Sequence, residues 1–293
     1  MDLIGVVARV NTVSFDACVQ FASDHVVDGL LMQQPPGIGS AASAGMGLVR
    51  RAIITWLFTY LGSILLYFAF AGLDYYVVFV RYKERFVPHY QPNLKEMRRE
   101  MWLSSWSLLV MAALTTPAEV AFQLGYGKIY HDVSEYGWLY LLVSPILFLV
   151  FSDTLIYFIH RGLHHPAVYK YCHKWHHSFI HTTPFAAFAF HPIDGFLQGI
   201  AYQVFVFCFP FHATMHLVSL AAVGLWTVNI HDRTTLNIPL VNGAAHHNIH
   251  HTTFKSNYGQ YFIVWDWIFG TFKDPNGAHK EEKEEDVYGK KNL

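Results

Sequence analysis

Residues 137–165 read GWLYLLVSPILFLVFSDTLIYFIHRGLHH. From Gly137 to Ile159 the only charged side chain is Asp153, and the run is long enough for one helix to cross a hydrocarbon core. Without a break the stretch then delivers His160 and, four residues on, His164, with His165 adjoining. Positions i and i+4 share one face of a helix. A membrane span therefore ends here in two imidazoles aimed the same way, and the rest of the chain is organised around that junction.

Upstream, a second apolar run covers Trp102–Leu124. Ala52–Val80 is nearly uncharged, interrupted only by Asp74. It has the length of one tilted span, or of a shorter helix followed by an interfacial piece. Downstream, the apolar run Phe196–Ile230 is too long for one span; Pro210 and His212 break it into two short helices joined at the far side. Arg81, Lys83, Arg85, Lys95, Arg98 and Arg99 make the loop 81–101 basic, which the positive-inside rule assigns to the cytosol. Span two then leaves and span three returns, so 160–195 and 231–293 are expected to be cytosolic. Arg50 and Arg51 disagree if Ala52–Val80 is a single span, and a hairpin there would return them to the cytosol.

Composition agrees with a membrane protein. Hydrophobic residues make up 53%, aromatics 17% and charged residues 14%, well under the quarter usual in soluble domains. A net charge of −1 leaves no basic surface for nucleic acid. Cys18, Cys172 and Cys208 form no Cys-x-x-Cys pair, so neither a disulfide framework nor a thiolate zinc site is expected. Met1 is not followed by a basic and then an apolar region with a cleavage site, so no cleaved signal peptide is expected. Residues 1–51 read as a weakly ordered extension containing a Gly/Ala/Ser/Pro-rich linker from Gln33 to Gly47. Residues 52–275 read as the membrane-embedded catalytic unit and 276–293 as a charged tail.

The composition is unusual in one respect: 19 histidines against 20 Lys and Arg together. Three clusters stand out: His160 and His164; His173, His176 and His177; His247, His250 and His251. Each has helical spacing and can aim two or three imidazoles at one point. Eight imidazoles exceed what one metal takes, so two transition metals are expected, each with an open position. A lone histidine is usually a packed side chain, but three such clusters on one face are hard to obtain from packing alone. Imidazole suits iron and zinc alike. His231 follows the hairpin directly and reads as a ninth ligand, with Asp232 placed to orient its ring. Asp153, two turns before His160, either orients a ligating histidine or makes an interhelical hydrogen bond.

Other histidines are set aside. His212 and His216 are an i, i+4 pair, but they fall at the far turn of the hairpin, roughly 30 Å from the clusters. His89, His131 and His279 have no partners in the sequence. His181 and His191 lie in the same stretch as the second cluster, open to a ligand, proton-relay or packing role and not chosen as ligands; His246, which precedes the third cluster, is given no role. No Gly-x-Ser-x-Gly elbow is present for nucleophilic catalysis.

The clusters, together with Thr183-Pro-Phe-Ala-Ala-Phe-Ala-Phe-His-Pro-Ile-Asp-Gly195, Trp226-Thr-Val-Asn-Ile-His-Asp232, Asn257-Tyr-Gly259, Trp265-Asp266 and Asp274-Pro275, resemble the membrane fatty-acid-hydroxylase superfamily. Within it they resemble the sterol C5-desaturases (lathosterol oxidases), over about Ala52–Pro275. The resemblance implies an all-α, multi-pass membrane fold with a cytosolic histidine-rich di-metal cap. It implies two iron ions, O2, and electrons passed from NADH through its reductase and cytochrome b5; zinc is the rival metal for a purified sample. It also implies oxidation of a Δ7-sterol to a Δ5,7-diene at the endoplasmic reticulum membrane. Plant-like relatives carry a histidine four residues after the match to His231, where this chain has Thr235; either a ligand is missing or water takes its place. Lys290 and Lys291 resemble a dilysine retrieval signal. The segment Pro184–Gly195, with Phe185, Phe188 and Phe190, is expected to line part of a substrate channel. The alternatives are a C4-methyl sterol oxidase or lipid hydroxylase on the same centre and, outside enzymes, a membrane metal transporter or sensor.

Overall fold

The computed structural model describes residues 40–234, 238–275 and 277. The chain before Ser40, Thr235, His279 and the charged tail with its terminal lysines lie outside them. In chain order the elements are α1 (Ser40–Tyr75), running on as a π-helical turn (Tyr76–Arg81), a short α2 (Lys83–Phe86), and α3 (Leu94–Gln123). Then come β1 (Ile129–Tyr130), a 3-10 turn (Val133–Glu135), α4 (Gly137–Leu163), α5 (Pro166–Tyr169) and 3-10 turns at His173–Ser178 and Pro184–Phe188. The chain ends with α6 (Pro192–Cys208), β2 (Phe211–His212), α7 (Ala213–Asn229), α8 (Ala244–Thr253) and α9 (Val264–Ile268). The fold is the helical membrane architecture read from the sequence.

Among the described residues, three helices are long and apolar enough to cross a membrane: Gly47–Arg81, Leu94–Gln123 and Gly137–Leu163. The first is uninterrupted, so Ala52–Val80 is one span and not a hairpin. Arg50 and Arg51 therefore sit at the opposite end of α1 from Arg81. Arg51 donates to Gln123 Oε1 at the end of α3 (3.3 Å), and Gln123 donates to Thr55 (3.0 Å). The Trp56 indole donates to Leu109 O (2.9 Å). Such ties hold spans together where no water competes for the donors. The helix also starts at Ser40, inside the stretch read as linker. Its alanines are strong helix formers, and extending an existing helix needs no new nucleus.

The apolar run Phe196–Ile230 breaks where Pro210 and His212 predict. Helices α6 and α7 have 17 residues each, about 25 Å at 1.5 Å per residue. Their corner is fixed by β2, which pairs in parallel with β1 (Ile129 opposite Phe211, Tyr130 opposite His212). Tyr140, at the start of α4, donates to Pro210 O (2.8 Å). The corner thus lies at the end of α4 away from His160.

The turn Pro184–Phe188 is gripped by α1, α3 and α7. Tyr67 and Ser104 both donate to Phe185 O (2.8 and 2.9 Å), and the buried Glu100 accepts from the backbone N–H and the hydroxyl of Thr183. Phe185 packs with Tyr67, Ala71, Leu108, Ala187 and Val228. The expected channel segment is therefore mostly core: Phe185, Ala186, Ala187 and Ala189 are buried, and of its three phenylalanines Phe190 is the one that reaches a clustered histidine, its ring 4.6 Å from that of His176.

Candidate metal centre

The structure brings all nine sequence-selected histidines together, in two groups. One contains His160, His164, His173, His177 and His250; the other contains His176, His231, His247 and His251. Within each group the candidate ligand atoms lie within 4.8 Å of one another. The clusters do not map one to one onto groups, as the sequence reading implied. Neighbouring residues point about 100° apart on an α-helix and about 120° apart on a 3-10 helix. Adjacent histidines therefore cannot converge. His177 joins the first group and His176 the second; His250 joins the first and His251 the second. The i, i+4 pairs 160/164, 173/177 and 247/251 stay together.

The Nε2 atoms face inward. His160 and His173 approach to 3.2 Å, His177 lies 3.1 Å from both His164 and His173, and His164 lies 3.2 Å from His250. In the second group His247 is 3.1 Å from both His231 and His251, and His231 is 3.4 Å from His176. The outer nitrogens settle several tautomers. Nδ1 of His160 donates to Tyr258 O (2.9 Å), that of His250 to Ser256 O (2.7 Å) and that of His231 to Thr227 O (2.7 Å). Nδ1 of His173 donates to the carboxylate of Asp194 (2.7 Å). Carbonyl and carboxylate oxygens only accept, so these rings keep their proton on Nδ1 when neutral and aim a bare lone pair from Nε2.

Burial favours the neutral form at several of these rings. It pushes His231 down to about 4. It pushes His176, His177, His247, His250 and His251 well below the ordinary histidine value, and mutual repulsion among the imidazoles adds to it. The half-buried His164 is lowered for the same two reasons. His160 and His173 both have Nδ1 engaged and bring their Nε2 atoms to 3.2 Å, so as neutral rings they would point two lone pairs at each other. That arrangement is repulsive unless a cation accepts both. Neutral imidazoles converging in sets of five and four fit two transition-metal ions.

Neither carboxylate chosen from the sequence touches a histidine ring. Asp153 Oδ1 accepts instead from the backbone N–H groups of Gln260, Tyr261 and Phe262 (3.0, 2.7 and 3.3 Å). Asp232 caps its own turn, accepting from the Thr234 N–H (2.6 Å), the Thr234 hydroxyl and Asn229 (2.8 Å), while the His231 ring turns back to Thr227. Packing gives Asp153 three backbone donors, and Asp232 takes the donors of its own turn. The carboxylate that does orient a ligand-set ring is Asp194, which the sequence reading did not single out. It lies in the first turn of α6, fully buried, and also accepts from Gln198 (2.7 Å). An acidic residue opening an apolar helix was the available signal.

A second buried carboxylate works at one remove. Asp266 accepts from the N–H groups of Tyr258 and Gly259 (both 2.8 Å) and from the Thr271 hydroxyl (2.7 Å). It shapes the loop whose Tyr258 carbonyl holds His160. Any side chain at Gly259 would collide with the Phe262 carbonyl. The remaining described histidines stand outside both groups. His165 and His191 accept from the backbone N–H groups of Ala167 and Ile193, capping α5 and α6. His246 packs on Phe272 and His181 lines a separate cavity of about 550 Å³ with Glu100 and Arg233. His212 donates to His131 O, and His216 packs on Phe122 and Phe211 at the far corner.

A family model described as "Fatty acid hydroxylase" matches residues 145–271. The chain is 42% identical to mouse lathosterol oxidase and 43% to the human protein of that name, each over 235 residues covering 78% of both chains. It is 40% identical over 292 residues to a Δ7-sterol 5(6)-desaturase of Aspergillus fumigatus, covering 90% of both. No solved structure matches.

Proposed function

The chain belongs to the fatty acid hydroxylase family, and from that premise we propose that it is a Δ7-sterol C5(6)-desaturase acting on a membrane sterol. The observation that carries the substrate is likeness, over most of both chains, to proteins named for that reaction. Residues 52–275 form the catalytic unit. His160, His164, His173, His177 and His250 would hold one iron ion, and His176, His231, His247 and His251 the other. Zinc fits the same nitrogens but has no redox chemistry. When bound, the iron pair supplies activation of O2 and the oxidant for an unactivated carbon.

The chain's own contribution is position and dryness. Asp194 and the carbonyls of Tyr258, Ser256 and Thr227 keep Nδ1 of His173, His160, His250 and His231 protonated and direct those four Nε2 lone pairs inward. Asp153 and Asp266 hold the loop that carries the Tyr258 carbonyl. Burial of both groups excludes water from the reacting carbon. In the overall balance two hydrogens leave C5 and C6, two electrons and two protons enter, and O2 leaves as two waters. The electrons come from NADH through cytochrome b5 and its reductase. The basic segment Arg81–Arg99 supports a cytosolic site, and likeness to the sterol desaturases supports the endoplasmic reticulum as its membrane. Transport would need ligands at mid-membrane, whereas these groups form where α4 and α7 end.

Expression in a host that lacks C5-desaturase and accumulates Δ7-sterols tests the reading. New 5,7-dienes, seen by their ultraviolet absorbance and in the sterol profile, are the expected result. Unchanged Δ7-sterols with new hydroxylated lipids would refute the desaturase assignment and leave the metal centre standing. Loss of a C4 methyl group would assign the methyl-oxidase reaction instead.

A further inference from the structure

The helix α9 buries one side and leaves the other bare. Asp266 is fully buried, while Val264, Trp267, Ile268 and Phe269 are exposed, Trp267 at 74%. No charged side chain accompanies them between Phe262 and Phe272 except the buried Asp266. A contiguous apolar patch of this kind is rarely left to water.

The patch continues a surface already assigned to lipid. Along α4 the exposed side chains Leu139, Leu142, Val143, Ile146, Val150 and Phe158 recur at helical spacing on the outer face of a membrane span. From Leu139 to Phe158 the helix rises about 28 Å, close to the roughly 30 Å of a hydrocarbon core. Phe158 therefore marks the membrane boundary on the side of the histidine groups. Trp265 lies on that boundary: its ring is 5.6 Å from Phe158 and its indole N–H donates to Thr154 Oγ1 (3.0 Å). One turn further out, Arg161 is exposed, donates to the Tyr157 hydroxyl (3.1 Å), and sets its guanidinium 5.6 Å over the Phe269 ring. Tryptophan at the boundary with arginine just above it is the side-chain order of a membrane–water interface.

We propose that Val264–Phe269 is a foot inserted into the cytosolic leaflet, with Val264, Trp267, Ile268 and Phe269 among the acyl chains and Arg161 at the headgroup phosphates. The foot is one piece with the loop behind the candidate centre. Asp266, on its inner side, holds the N–H groups of Tyr258 and Gly259, and the Tyr258 carbonyl holds His160. The leaflet thereby braces the wall of the histidine group.

The test is the collision environment of a nitroxide on full-length protein in phosphatidylcholine nanodiscs. Trp267→Cys and, separately, Ile268→Cys are labelled in a Cys18→Ser/Cys208→Ser background, since Cys172 is buried. Leu142→Cys gives the lipid reference and Tyr171→Cys, 67% exposed beyond α5, the water reference. Monodispersity by gel filtration verifies folding of each variant. The expected result is relaxation by oxygen as at residue 142, with loss of the collisions with a water-soluble nickel chelate seen at residue 171. Nickel collisions equal to those at residue 171 overturn the proposal, because the face is then in water. An immobilised label screened from both reagents also overturns it, because protein then covers the face. Two positions agreeing guards against one variant that misfolds.

Discussion

Asp194→Asn isolates what one carboxylate adds to the centre. The native oxygen accepts from His173 Nδ1 at 2.7 Å in a fully buried site. Removing a carboxylate behind a ligating histidine typically lowers metal affinity about 10–100-fold, or about 1.4–2.7 kcal/mol. The structure selects the lower end. His160, His231 and His250 lean on neutral backbone carbonyls, and an asparagine carbonyl leaves His173 in the same condition. The expected loss is therefore about tenfold. Asp194→Ala goes further: it strands the buried His173 N–H, at about 1–3 kcal/mol, and frees the partly buried Gln198 amide. The assay is metal retained by purified protein across a chelator series, read by elemental analysis, with thermal unfolding in parallel. Asn should shift the chelator midpoint with little change in Tm; Ala should lower both. Metal retention by Asp194→Asn equal to wild type would refute the reasoning, and so would a loss as complete as that of His173→Ala.

Three further outcomes are expected. His176→Ala and His250→Ala should each remove about one of two bound metals, because they belong to different groups, whereas His216→Ala should remove neither; elemental analysis of the three proteins decides it. Asp153→Asn removes a charge that accepts from three backbone N–H groups, so the melting temperature should fall by an amount corresponding to about 2–4 kcal/mol, with the metal count retained at low temperature. Metal-free protein should lose stability in acid: with His231 at about 4 when folded and 6.5 when unfolded, the unfolded chain binds the extra proton as pH falls. This one residue then withdraws about 3 kcal/mol between pH 6.5 and 4. Chelated protein melting at the same temperature at pH 7 and pH 5 would contradict this.

Eight of the nine histidines were legible in the chain as clusters at helical spacing, and the offset of four is the one the structure keeps within a group. The spans were legible because a hydrocarbon core demands about twenty uncharged residues, and Pro210 broke the last run where a proline must. His231, at the end of α7, was found from its position alone. What local pattern cannot carry is which partner lies across the fold. His173 meets Asp194 and Asp153 meets Gln260–Phe262 only once α4, α6 and the loop after α8 are packed together; a carboxylate seven residues before His160 looked better placed by sequence distance. In the same way, adjacent His176 and His177 reveal by spacing that they diverge, but not that each diverges into a different set, because that depends on where α8 docks. The chain by itself determined the helices and the ligand types, since both follow from short-range periodicity and from the solvents the chain meets. Only the tertiary structure decided the pairing of rings with their acceptors and the division into five and four, since each buried donor takes the nearest acceptor that packing brings to it.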